Sequence, residues 1–464
     1  MSLDNAKKVH FIGIGGISMS GLAEILKRDG YEVTGSDDVR SPVTVRLESV
    51  GIKVAVPNAA QNITDDVDMV VYTAAVKEDN PEFMAAVMKG KTLVERAALL
   101  GMILEGYNHA ICVAGTHGKT TATSLMSEIV LDAGLDPTIS IGGHMGRGGM
   151  NYRVGNSSYF VLEACEYSNS FHHWHPHVGI ILNIDADHLD FFGDFDGVIK
   201  SFRRFAENIR PGGTLVILAG TPGFDKVVKD LPCHVVTFGE SEGDFQVRNV
   251  TFDAMGRPTF DIVNGEAFLA TVSLPLPGRY NMLNALATFA AAQALGIAPA
   301  VVAQALSNAK GVKRRFEDKG TYNGAQVIDD YAHHPTEIQA CLAAARKGIE
   351  NSKSAEGAQS KLVCLFQPHT YSRTKNLLSE FAESFGDADQ VALLPIFASR
   401  EAFDPTISSL DLAAGIKQAG GQVAHMQNFD EAVKFLQQTL MPGDLLITMG
   451  AGDVYFVGER LVLS

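Results

Sequence analysis

HAICVAGTHGKTTATSLM, residues 109–126, passes from a run of apolar residues through a glycine turn into a helix-forming segment. The order strand, glycine loop, helix is what phosphate binding needs: glycines let backbone N–H groups converge on oxygen atoms, and the helix N-terminus adds positive potential. Lys119 supplies a point charge, and Thr120 a hydroxyl suited to magnesium. Gly115, Thr116, His117, Gly118, Lys119, Thr120 and Thr121 are therefore predicted to hold the phosphates of ATP, with Lys119 on an exposed loop. The motif is the shorter Gly-x-x-Gly-Lys-Thr form of the P-loop, so a tight turn without a ligand is the competing reading.

Further apolar runs precede glycines or helical patterns at His10 to Gly13, Val178 to Asn183, Gln326 to Asp330, Leu362 to Phe366 and Asp444 to Gly450. Strands alternating with helices predict α/β layers with mostly parallel sheets. A chain of 464 residues exceeds one ordinary core and calls for about three domains. Gly and charge interrupt the pattern near Glu105 to His109 and Lys310 to Arg314. The expected domains are therefore 1–106, Rossmann-like and binding a sugar nucleotide; 107–312, a central P-loop ATPase; and 313–464, Rossmann-like and closing over the active site. The polar stretch Glu350 to Lys361, ENSKSAEGAQSK, reads as an exposed connection.

HFIGIGGISMSGLAEIL, residues 10–26, is a second strand, glycine turn and helix, and Ser36-Asp37 closes the next strand. This βαβ unit is built for a nucleotide. A nicotinamide dinucleotide fits poorly, because Ser18 stands where the third fingerprint glycine belongs and Gly15-Gly16 is differently spaced. A diphosphate of another nucleotide near Gly15 and Gly16, with Asp37 toward a sugar or base, fits as well as plain helix-to-strand packing does.

Acidic residues outnumber basic ones 53 to 38, which argues against a nucleic-acid surface, since phosphate backbones are gripped by clustered Lys and Arg. No stretch of about 18 apolar residues suggests membrane insertion. Five scattered cysteines fit reduced thiols, and with no recognisable leader the expectation is a cytoplasmic protein. His172, His173, His175 and His177 around Trp174 read as a partly exposed polar segment rather than a metal nest.

After the P-loop come FVLEACEYSNSF (160–171), VGIILNIDADHLDFFGDF (178–195), LPGRYNMLNALATFAAA (276–292), VKRRFE (312–317), VIDDYAHHPTE (327–337), LFQPHTYSRTK (365–375) and LLITMGAGDVY (445–455). In order and content these resemble the Mur ligases, and the resemblance runs from His10 to about Tyr455. It implies an enzyme of peptidoglycan precursor synthesis in which ATP phosphorylates the lactyl carboxyl of UDP-N-acetylmuramate and the amine of L-alanine attacks the acyl phosphate. The chemistry is reasonable, because a carboxylate is a poor electrophile until basic residues and a metal neutralise its charge.

The same resemblance implies the roles. Lys119, His333 and Arg373 would be catalytic, with Lys119 bridging the β- and γ-phosphates. Thr120, Glu166 and His188 would hold magnesium, or manganese in its place. Asn281, Asn284, Arg315 and Asp330 would contact ATP, the two asparagines sharing one helix face. UDP-sugar binding would fall to Gly15, Gly16, Ser36, Asp37, Thr73 and His334. The chain departs from the family pattern at Tyr280, Ala98, Ser168 and Thr370, where relatives carry His, an acidic residue, Asp and Arg. A monomer or homodimer is expected. The rival readings are a sister ligase adding another amino acid or a preformed peptide, a NAD-dependent oxidoreductase, and a nucleotide-dependent regulatory module.

Overall fold

The computed structural model describes residues 3, 6–147, 149–253, 255–352, 360–399 and 401–464. The chain forms a three-domain α/β structure with mostly parallel sheets. It also separates into two compact units, Met1–Gln246 with Leu286–Ala305, and Val247–Ala285 with Leu306–Ser464.

The first unit holds two sheets. One has five parallel strands in the order Lys53–Ala55, Glu32–Ser36, Lys8–Ile12, Met69–Tyr72, Thr92–Glu95. The order reverses at Lys8–Ile12, so the turn Gly13–Gly16 opens at the crevice where such sheets bind ligands. In the other sheet the strands His234–Gly239, Thr214–Leu218, Val178–Ile181, His109–Ala114, Tyr159–Glu163 and Thr138–Ser140 run parallel in that order. Tyr152–Arg153 closes its edge antiparallel. His109–Ala114 lies in the middle and is buried from Ala110 onward. That burial explains its near-continuous apolar sequence.

Leu99, Leu100 and Ile103 from the helix Arg96–Leu104 join Phe160, Phe171 and Phe205 in one core. Trp174, 2% exposed, donates its indole N–H to the Ala97 carbonyl at 3.1 Å. The histidines around it follow the expectation of a polar, partly exposed segment: Tyr167–His173 is a run of helical turns kinked at Ser168 and Asn169, whose φ are +56° and +55°, and the His175 side chain is half exposed beside Glu105.

The second unit carries a sheet ordered Glu317–Tyr322, Ala325–Asp330, Leu445–Met449, Leu362–Phe366, Gln390–Leu393, Val423–His425. All its pairings are parallel except the first. One face packs Ile338, Leu342 and Phe381 and the other Leu436, Val457 and Leu461. An antiparallel hairpin, Pro258–Asn264 with Ala267–Ser273, also belongs to this unit.

The expected strands appear with ends shifted by at most two residues, and Leu362–Phe366 with no shift. Of the stretch Glu350 to Lys361, the first residues extend the helix Pro335–Ser352, and 353–359 lie outside the described residues. Among the described residues, no helix is long and apolar enough to cross a membrane.

Candidate active site

The glycine loop leaves the strand His109–Ala114 and enters the helix Lys119–Asp132. Gly115 and Gly118 have φ of +142° and +84°, a region that side chains with a Cβ avoid. At Gly115 a Cβ would stand 2.9 Å from Leu182 Cβ, so the loop lies directly on the continuation of the neighbouring strand. Thr116 donates its N–H to the Asn183 carbonyl at 3.2 Å, and His117 donates its own to Asn183 Oδ1 at 2.8 Å. The His117 ring pairs with Asp185 Oδ2 at 3.0 Å. Lys119, Thr120 and Thr121 begin the helix, where N–H groups have no acceptor within the helix.

Lys119 is not on an exposed loop, contrary to expectation: its side chain is 14% exposed. The ammonium donates to the carbonyls of Gly115 at 2.6 Å and Thr116 at 2.9 Å, and to Glu166 Oε1 at 3.1 Å. Burial works against its charge, but Glu166, with Cys165 and Glu163, outweighs that and raises its pKa. The lysine is a firm cation, held by the loop's own carbonyls and Glu166.

Thr120 donates its hydroxyl to Glu163 Oε1 at 2.9 Å, and Glu163 Oε2 accepts the Gly142 N–H at 2.6 Å. Glu163 is a residue that the sequence reading missed; it ends the strand Tyr159–Glu163, and a carboxylate closing a strand beside a P-loop was the available signal. Glu166, 2% exposed, has its Oε2 ion-paired with Lys119 at 2.9 Å yet outside hydrogen-bonding geometry. His188, in a left-handed conformation at φ +53°, brings Nε2 to 4.0 Å from Glu166 Oε1, with the Tyr167 ring 4.8 Å away. Thr120 with Glu163 and Glu166 with His188 are two pairs offering chiefly oxygen donors, the chemistry that a hard divalent cation such as Mg2+ favours.

In the first sheet, Gly15 donates its N–H to Asp37 Oδ2 at 2.8 Å, and a Cβ on Gly15 would come within 2.7 Å of that oxygen. Gly16 caps the helix Ile17–Arg28. Thr73 follows the strand Met69–Tyr72 and accepts the Ala75 N–H at 3.3 Å. Ser36, fully buried, turns inward and donates to Glu82 Oε2. Glu82, equally buried, also takes Asn62 Nδ2 at 2.6 Å and the Ala59 N–H at 3.0 Å. His10 Nε2 lies 3.3 Å from it. Burial pushes the Glu82 pKa up, and these hydrogen bonds more than reverse it, so the carboxyl sits below its ordinary range. Ser36 thus braces the floor of the crevice.

In the second unit, Arg314 and Phe316 both adopt positive φ, and the guanidiniums of Arg314 and Arg315 each lie 5.1 Å from the Tyr331 ring. Arg314 donates to Asp329 Oδ2 at 3.0 Å and to the Gly450 carbonyl at 2.7 Å. Its guanidinium also stacks over Tyr455 at 4.4 Å. Arg315 lies over Tyr331 at 5.1 Å and 3.9 Å from Glu337. Asp330, 5% exposed, accepts the N–H groups of Phe316 at 2.7 Å and Ala332 at 2.8 Å. Burial pushes its pKa up to about 6, against the pull of Arg315 and these two N–H groups.

His333 Nδ1 lies 3.1 Å from the Tyr331 carbonyl and 3.2 Å from Glu337 Oε2. Its ring meets that of His369 edge to face at 5.8 Å. His369 is lowered to about 4 by burial, then by His333 and Arg373; it is a neutral imidazole at pH 7. Arg373 Nη1 approaches His369 Nδ1 at 3.5 Å, so His333, His369 and Arg373 form one cluster. His334 is buried at 6% exposure, not at the surface, and its Nδ1 accepts the Thr336 N–H at 3.4 Å. Asn281 donates to the Pro277 carbonyl at 2.8 Å, and Asn284 to Asn281 Oδ1 at 3.4 Å; Asn281 holds its own helix start.

Three family models match the chain in succession: "Mur ligase family, catalytic domain" over residues 8–108, "Mur ligase middle domain" over 113–292 and "Mur ligase, glutamate ligase domain" over 314–452. The UDP-N-acetylmuramate–L-alanine ligase of Lachnospira eligens is 47% identical across 100% of this chain and 99% of its own length. That of Clostridium novyi is 46% identical across 99% and 98%. Among solved structures, the UDP-N-acetylmuramate–alanine ligase of Thermotoga maritima superposes with TM-score 0.77 at 29% identity, covering 98% of both chains. A murein peptide ligase of Psychrobacter arcticus gives 0.67 at 25% identity, with the same coverage.

Proposed function

This chain belongs to the Mur ligase family, and we propose that it joins L-alanine to the lactyl carboxyl of UDP-N-acetylmuramate, using ATP and passing through an acyl phosphate. The observation that carries this reading is the cation at Lys119, held over the phosphate loop by Glu166 with the Thr120–Glu163 pair beside it. Relatives at 47% and 46% identity over almost the whole chain bear the L-alanine ligase name, which favours that amine over a peptide.

On this reading, Lys119 exchanges the carbonyls of Gly115 and Thr116 for phosphate oxygens and offsets the charge that moves during transfer. A divalent cation held by Thr120, Glu163, Glu166 and His188 would supply further charge neutralisation there. Asp37, with the turn at Gly15 and Gly16, takes part in binding the sugar nucleotide; Thr73 stands at the same edge of its sheet. Arg373 offers a fork for a carboxylate, and His369 beside it, neutral at pH 7, does not compete as a cation. His333, His334, Arg315, Asp330, Asn281 and Asn284 complete the assignments made from sequence. The domains run 1–106, 107–312 and 313–464, a division that the spacing of the three family models supports. The enzyme works in the cytoplasm, as a monomer or homodimer.

Incubation with UDP-N-acetylmuramate, ATP and Mg2+ and one of L-alanine, L-serine, glycine or a preformed tripeptide tests the proposal. The expected outcome is a new amide with L-alanine, with one ADP and one phosphate per product by mass spectrometry. Product with the tripeptide and none with L-alanine would move the chain to the sister ligase.

A further inference from the structure

We infer that Asn183 is a positioning residue that sets the phosphate loop from outside it, and that the nucleotide is gripped from Gly118 onward rather than from Thr116. The inference rests on the proposed use of ATP and deepens it.

Asn183 follows the strand Val178–Ile181, which pairs with His109–Ala114. The ladder continues past both strand ends: Leu182 donates its N–H to the Ala114 carbonyl at 3.0 Å, and Thr116 to the Asn183 carbonyl at 3.2 Å. The Asn183 side chain then takes both backbone groups of a single loop residue. Its Oδ1 accepts the His117 N–H at 2.8 Å and its Nδ2 donates to the His117 carbonyl at 3.0 Å. Only a carboxamide offers an acceptor and a donor side by side in this way. Asp185 adds a second rung, with its N–H on Thr116 Oγ1 at 2.9 Å and its carboxylate on the His117 ring at 3.0 Å. The absence of a Cβ at Gly115 is what lets the loop lie this close.

Two consequences follow from the hydrogen-bond count alone. The N–H groups of Thr116 and His117 are committed to Asn183, so the cradle is made by Gly118 and by the first helical residues Lys119, Thr120 and Thr121, aligned with the helix dipole. The loop is also shaped before the nucleotide arrives, so ordering it costs little affinity on binding.

The test measures Mg-ADP affinity by calorimetry, backbone amide exchange at His117, melting temperature, and the split between KM for ATP and kcat. For Asn183→Ala we expect affinity and KM weakened about tenfold, for two lost hydrogen bonds, with kcat changed much less. The melting temperature should hold and the His117 N–H should exchange faster. Asn183→Asp, which keeps an acceptor for that N–H, should restore its protection. If the wild type fails to bind Mg-ADP, the proposed function is at fault. If the wild type binds and Asn183→Ala binds within twofold, or loses affinity with His117 still protected, the clamp is refuted.

Discussion

Lys119 and Glu166 form an ion pair in which Nζ and Oε2 are 2.9 Å apart and the side chains are 14% and 3% exposed. Each is the chief compensation for the other's burial, so removing one partner leaves an uncompensated charge. Lys119→Ala should lower turnover about a thousandfold and also cost about 3 kcal/mol of stability, measured by urea denaturation. The double replacement Lys119→Met with Glu166→Gln should recover most of the stability and none of the activity. Wild-type stability in Lys119→Ala would show that the pair carries no such burden.

Gly115→Ala should cost about 2 kcal/mol, combining backbone strain with overpacking, because its φ is +142° and the new methyl would sit 2.9 Å from Leu182 Cβ and 3.1 Å from Leu182 N. ADP binding should be lost with it. Gly134 has φ +74° and open space around it, so Gly134→Ala should cost only about 1 kcal/mol and leave ADP binding intact. Equal affinity in the two variants would separate loop shape from binding.

The contrast between local and distant pairing decides what could be read from the chain. The loop, its lysine and the strand before it lie within a few residues of each other, and glycine spacing with apolar runs reports them directly. Glu163 reaches Thr120 across 43 positions and Asn183 reaches His117 across 66; these partners exist only once neighbouring strands align. Ser36 looked like a ligand contact because it ends a Rossmann strand, yet buried Glu82, 46 residues on, takes its hydroxyl. Lys119 looked exposed because loops usually are, and its burial depends on Glu166, 47 residues away. Arg314 and Arg315 stand side by side in the sequence and both lie 5.1 Å from the Tyr331 ring, yet only the fold shows that Arg314 bonds Asp329 while Arg315 nears Glu337.

Arg314 carries the heavier structural duty of that pair. Asp329 is fully buried, and burial raises its pKa while Arg314 and Thr448 pull it back. Arg314→Ala would strand this carboxyl and remove the stacking on Tyr455, at a cost of about 3 kcal/mol. Arg314→Lys keeps the charge but not the planar fork, and should recover about half. Denaturant melts of the two variants check this; equal losses would mean that the charge itself contributes nothing.

Asp330 gives a pH signature of definite sign. Its native pKa of about 6 lies above the roughly 4 of an unfolded aspartate, so the native state holds a proton that the unfolded chain has released. Its contribution is complete below pH ~4 and is lost as pH rises through ~6, an effect of about 2–3 kcal/mol. Asp330→Asn cannot titrate. The stability difference between variant and wild type should therefore shift in the variant's favour from pH 4.5 to 7, whatever constant loss the amide brings at the Phe316 and Ala332 N–H groups. Arg315 is the cation that holds this pKa down, so Arg315→Ala should move the midpoint of the shift to higher pH. Urea midpoints across that range measure both, and a difference that stays flat with pH would mean that Asp330 is ionised throughout.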